Sequence, residues 1–249
     1  ACMNRKLLKR ILVTSAIAIL GVNTSFAALV MEQDQSVDTA PSVGMYRFEV
    51  PVELQGTYNS AGVANLTASM EKEPNTLSMN VAHVKGNPSE SYVVEIYKDL
   101  AAIETHRKSD HYQAFVNEVG SKLTNRKMYD VQSVLLFEKK DALSIVNDGK
   151  AVVTLTEFTV DSNEIDTVQR QYQLDMERAV RDDAGYKAGY VLRERNAKNR
   201  WYVIQIYSDQ EALTKHLNSP GYRFMMSQIQ GSLQGVTTKV LDGDILVNH

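Results

Sequence analysis

Cysteine is almost missing from this chain: Cys2 is the single thiol in 249 residues. It precedes the first apolar run and so is not placed as a lipid-attachment cysteine. The remainder can form no disulfide, no cysteine–metal site and no cysteine nucleophile. Clustered positive charge is lacking too. The formal charge is −3, with 27 basic against 30 acidic residues. A nucleic-acid binder replaces counterions with grouped Lys and Arg, and no such stripe occurs, so nucleic acid is excluded as a partner. Glycine and proline are sparse, at 13 and 5, which argues against long flexible tracts. No G-x-S-x-G, P-loop or dinucleotide-type glycine pattern is present.

What is present begins with a targeting pattern. Arg5, Lys6, Lys9 and Arg10 form a basic region, and Ile11 to Val22 is a mostly apolar run of 12 residues. Ser25-Phe26-Ala27 then offers small residues for cleavage after Ala27. The run is shorter than the roughly 20 residues a membrane span needs. The expectation is a signal peptide over 1–27, a linker over 28–44, no stable membrane insertion after cleavage, and a periplasmic or secreted product. Cleavage would remove four basic and no acidic residues, leaving a net charge of −7. A chain without thiols suits an oxidising compartment.

Beyond the linker the chain repeats itself. Tyr92-Val-Val-Glu-Ile-Tyr97-Lys-Asp99 aligns with Tyr202-Val-Ile-Gln-Ile-Tyr207-Ser-Asp209, an offset of 110. Ala102, His106, Ser109 and Tyr112 meet Ala212, His216, Ser219 and Tyr222. Nine of 21 positions are identical over 92–112, against the one or two that chance would supply. The repeat sets two domains, 45–140 and 150–248.

In each unit, β-branched and aromatic runs predict strands and wider apolar spacing predicts helices. The first has strands over 45–52, 76–84, 91–97 and 128–138, a helix over 58–72, and helical pieces between Asp99 and Leu123. The second has strands over 152–160, 186–193, 200–207 and 237–247, and a helix over 164–180. Asp99, Asp209, Ser109 and Ser219 sit where N-caps are needed, and Pro220 suits a first helical position. The order is β-α-β-β-α-β twice, the ferredoxin-like α+β plan. Helices cover one sheet face. Strand 91–97 is apolar on both faces, so the two bare faces are expected to pack on one another.

The stretches Glu73-Pro74-Asn75-Thr76-Leu77, Glu95-Ile-Tyr97-Lys-Asp99 and His106-Arg-Lys-Ser109-Asp-His111-Tyr112-Gln-Ala-Phe115 resemble those of the antibiotic biosynthesis monooxygenase (ABM) family. Repeat two departs from them at Gln205, Gly221 and Met225. The resemblance implies an intrachain dimeric α+β barrel, a monomeric pseudo-dimer, and oxygenation of quinols or polyphenols by O2 with no metal or flavin cofactor. The alternative is a non-catalytic protein that binds a small aromatic or haem-like ligand. A third reading is a structural pseudo-dimer with its cavity filled.

Such an oxygenase needs a base to make the substrate anion, a group to hold it, and a dry cavity. His106 matches the family's histidine and is the expected base, with Asn80 and Tyr97 orienting the substrate. His111, His83, Glu95, Phe115, His216 and Tyr207 are candidate ligand-binding residues. Each also has a plainer reading. His106 and His216 could serve a helix bend, and Tyr97 and Tyr207 could be core rings with wet hydroxyls. His83 could be a solvated strand end, His111 a surface histidine and Asn80 an outward-facing amide. Trp201 and Met225 read as packing. His106 and His111 are five apart, which is not a metal-ligand spacing on one helix, so no metal site is expected.

Overall fold

The computed structural model describes residues 41–249; the expected signal peptide and most of the linker lie outside the described residues. The elements are β1 (Ser42–Glu49), α1 (Gln55–Lys72), β2 (Thr76–Val84), β3 (Asn87–Tyr97), α2 (Leu100–Lys108), α3 (Asp110–Glu118), β4 (Thr124–Tyr129), β5 (Val131–Glu138) and β6 (Ser144–Val146). Repeat two follows as β7 (Val152–Val160), α4 (Ile165–Asp182), β8 (Tyr186–Glu194), β9 (Arg200–Tyr207), α5 (Gln210–Leu217), α6 (Pro220–Ile229) and β10 (Leu233–Asn248). None of the described helices is long and apolar enough to cross a membrane.

The first strand starts three residues inside the segment read as linker, because Val43 is a core residue. The strand expected over 128–138 is two segments, β4 and β5, that break at Asp130. The short β6 was not anticipated.

The offset of 110 holds in the register as well as in the sequence. Ser42 faces Tyr97 across β1–β3, and Val152 faces Tyr207 across β7–β9. The four caps form as expected. Asp99 and Asp209 accept from the amides of Ala102 and Ala212 at 2.9 and 2.8 Å. Ser109 and Ser219 accept from Tyr112 and Tyr222 at 3.3 and 3.2 Å. Ser109 ends α2 and starts α3, and Asn218 ends α5 where Ser219 starts α6, so the chain bends there and turns His106 and His216 inward.

The sheet runs β4-β1-β3-β2-β10-β7-β9-β8-β5. The last strand of each repeat is shared. β10 pairs with β7 of its own repeat through residues 233–242, then with β2 of repeat one through 241–248. In the same way β4 pairs with β1 while β5 pairs with β8 of repeat two. β4 and β5 are successive stretches of one chain, so the sheet's two ends are joined and the barrel closes. Its interior holds the bare faces of both sheets, including Met45, Val94, Ile96, Val131, Leu192 and Ile204. The helices bury the outer faces in separate clusters, one centred on Tyr46, Phe48 and Phe115 and another on Phe158, Tyr172 and Trp201.

Because the repeats share strands, scanning calorimetry should show one unfolding transition. Leu192→Ala, at a fully buried interior position, should cost about 2–5 kcal/mol and lower that single transition instead of splitting it.

Candidate functional site

Under the helices of repeat one lies a hollow walled by Phe48, Leu66, Val81, Val93, Phe115 and Ile245. Its polar lining is Tyr58, Asn59, Asn65, Glu95 and Tyr112. Strand alternation explains why Glu95 is there. Val93, Glu95 and Tyr97 share the helix-facing side of β3, whereas Tyr92, Val94 and Ile96 face the barrel. Glu95 is 8% exposed. Burial raises its pKa above the usual carboxylate range, against the opposing charge of His106 and the hydroxyl of Tyr97. That hydroxyl donates to Glu95 Oε2 at 2.8 Å. The expected wet hydroxyl on Tyr97 is therefore corrected: the ring is buried and its O–H is spent on Glu95. Tyr207 is likewise fully buried.

Behind Glu95 stands a second polar layer. His106 Nδ1 lies 3.1 Å from Glu73 Oε2 and 3.3 Å from Ser69 Oγ. His111 Nε2 lies 2.6 Å from Glu73 Oε1, and Thr76 Oγ1 donates to Glu73 Oε2 at 2.7 Å. Burial would raise the Glu73 pKa, but these bonds and the His106 charge outweigh it and bring it down to about 2. The ionised carboxylate accepts from His106 Nδ1–H, which fixes the orientation of the ring. Among the described residues, Glu73, His106 and His111 also form a group whose potential ligand atoms lie within 4.8 Å of one another. The spacing of five could not show this, since the bend at Ser109 and the end of α1 assemble the trio. Hydrogen bonds within the trio occupy both Glu73 oxygens, His106 Nδ1 and His111 Nε2.

Repeat two shows the same frame without the hollow. Gly62 is replaced by Tyr172, which stacks on Phe158 with ring centroids 6.0 Å apart. Thr76 is replaced by Tyr186, whose hydroxyl donates to Gln205 at 3.0 Å. Gly189 makes that possible, because a Cβ there would lie 2.1 Å from the Tyr186 hydroxyl. His216 is held between carboxylates, with Nδ1 3.3 Å from Asp183 and Nε2 3.3 Å from Asp175. Arg178, paired with both aspartates, takes the space that a side chain on Gly221 would need. Asp175 corresponds to Asn65. So His106 Nε2 is directed toward the Asn65 side of the hollow, and both that nitrogen and Asn65 Oδ1 are buried with no hydrogen-bond partner among the described residues.

The expected trio does not converge. His106 and Tyr97 stand on the helix side of the sheet, with His106 in the layer behind the hollow. Asn80 pairs across the strands with Val94 and so faces the barrel interior. Glu95 and Phe115 line the hollow, and His111 joins Glu73. His83 lies at the far end of β2, 2.9 Å from Asp244, outside the hollow. Trp201 and Met225 are core. The sequence reading missed Asn65, Glu73, Tyr58 and Tyr112. Glu73 and Tyr112 carried a signal, inside the quoted Glu73–Leu77 and His106–Phe115 stretches.

The signature of the family described as Antibiotic biosynthesis monooxygenase matches residues 43–118 and 151–227. No curated protein matches the sequence. Two solved structures, each carrying a provisional monooxygenase name, share the fold. The one from Lactobacillus acidophilus NCFM is 19% identical, with a TM-score of 0.75 over 84% of this chain and 96% of that one. The one from Fusobacterium nucleatum subsp. nucleatum ATCC 25586 is 21% identical, with a TM-score of 0.71 over 84% and 95%.

Glu73→Gln should cost about 3–5 kcal/mol, the range for breaking a buried ionic pair. Glu73 is depressed in the folded state, so its contribution is complete above the ordinary carboxylate pKa and fades as pH falls from about 4.5 toward 2. Acid denaturation of the variant should lose that portion of its pH dependence.

Proposed function

We propose a function for a chain that belongs to the antibiotic biosynthesis monooxygenase family: oxygenation of a small phenolic or quinol-type aromatic in the hollow of repeat one, with no cofactor. The observation that carries this reading is the contrast at one strand position. Repeat one has a buried carboxylate, Glu95, on an apolar hollow. Repeat two has Gln205 and a hollow filled by Tyr172.

Glu95 is the base. A carboxyl whose pKa burial has raised takes a phenolic proton more readily than an ordinary one, and Tyr97 fixes its orientation. His106 is a positioning residue: its charge favours the Glu95 anion, and Glu73 fixes its orientation. Asn65 Oδ1 accepts from a second substrate hydroxyl. The bound anion is electron-rich enough to reduce O2 itself. At an activated methylene, carbon joins one oxygen atom and the second leaves with both hydrogens, so R–CH2–R and O2 become R–CO–R and H2O. The leader read in residues 1–27 would place this chemistry in the periplasm or outside the cell. The shared strands favour a monomer built as a pseudo-dimer.

The test is oxygen uptake with a panel of quinols and hydroxylated polycycles in chelator-treated buffer. Activity should rise with pH through an apparent pKa above 4.5. Glu95→Gln, which copies repeat two, should lower kcat/KM by about 10²–10⁴-fold and erase that pH limb. Gly62→Tyr should abolish uptake while the circular dichroism stays native. No uptake with any substrate, alongside tight binding, would leave the non-catalytic ligand-binding reading standing.

A further inference from the structure

A second void lies on the other side of the same sheet, inside the barrel. It is narrow and walled by Met45, Ala82, Val94, Val153, Ile204 and Leu246 among others, drawn from both repeats. The one polar side chain in its wall, apart from the edge of Tyr92, is Asn80. Asn80 is 5% exposed. Its Nδ2 donates to Ser78 Oγ at 3.0 Å and to the Val94 carbonyl at 3.5 Å. Its Oδ1 has no partner.

The void has a cause in the sequence. Asn80 corresponds to Tyr190 of repeat two, as their cross-strand partners Val94 and Ile204 confirm. Tyr190 is fully buried and spans the barrel to meet Ser78 and Glu138. The shorter Asn80 leaves its own side unfilled. A buried amide oxygen without a donor is costly, and apolar walls offer a single water few of the partners it normally takes.

We propose that the barrel interior is a second ligand site, distinct from the hollow under the helices. Its ligand is a small, mainly apolar molecule with one O–H or N–H group, which donates to Asn80 Oδ1 while its body fills the space that repeat two gives to a tyrosine ring. The proposal stands whether or not the hollow at Glu95 is catalytic.

Phenol and benzene are the probes, since they differ by the one donor. The Gly62→Tyr chain, with its other hollow filled, is titrated by calorimetry. Phenol should bind one site per chain and benzene about tenfold more weakly, the difference one hydrogen bond makes. Asn80→Tyr should abolish binding, and Asn80→Leu should remove the preference for phenol. In the unaltered chain, bound phenol should give nuclear Overhauser contacts to the methyls of Val153 and Leu246, a readout that does not need either variant to fold. Absence of those contacts at saturation, or phenol binding that Asn80→Tyr leaves unchanged, overturns the proposal. So does a phenol-soaked crystal with only water on Asn80.

Discussion

Each four-stranded sheet in this chain has one face its own helices do not reach, and everything else follows from burying it. Strand residues such as Val94, Ile96, Leu192 and Ile204 cannot remain in water at about 25 cal/mol for each Å² of apolar surface. They are buried against one another inside a barrel. The closing strands make that burial obligatory, because β10 belongs to both sheets and the continuous β4–β5 stretch runs from one into the other. A sheet so closed presents no long unpaired edge for other chains to extend.

The barrel also fixes where chemistry can occur. Helices lie on its outside, so the space beneath them is the place where a strand side chain and a helix side chain can meet around a ligand. In repeat two that space is packed by Tyr172 and Tyr186, and the interior by Tyr190. In repeat one the same three positions are Gly62, Thr76 and Asn80. Side-chain volume at three sites thus separates a filled unit from an open one, on backbones whose registers coincide. The polar network follows the same division. His216 sits between the carboxylates of Asp175 and Asp183, whereas His106 meets Glu73 and turns its other nitrogen toward Asn65.

Much of this was legible in the residues. The offset of 110, the four caps and the two-sided apolarity of strand 91–97 define the repeats and the way they pack. Glu95 and Phe115, quoted for the resemblance, line one hollow, and His111 meets Glu73. Asn80 did not, and the cause is a parity that needs the register: only its pairing with Val94 shows that it shares a face with the barrel residues and not with Glu95. Glu73 and Asn65 were illegible for another reason. They lie on or just after α1, far in sequence from His106, and they matter through a bend at Ser109 that brings three elements together. The break at Asp130 was hidden because both halves of 124–138 have strand composition, and only the change of partner separates them.

The covalent join between the repeats has a consequence for how such a molecule diversifies. In a symmetric pair of identical chains every substitution appears twice, so a tyrosine that plugs one cavity plugs both. Here the halves are encoded separately. One can accumulate the bulk that makes the shell rigid while the other loses it, and the stiffness of the first supports the vacancy in the second. Tyr172 and Gly62 are the two outcomes of that freedom at one structural position.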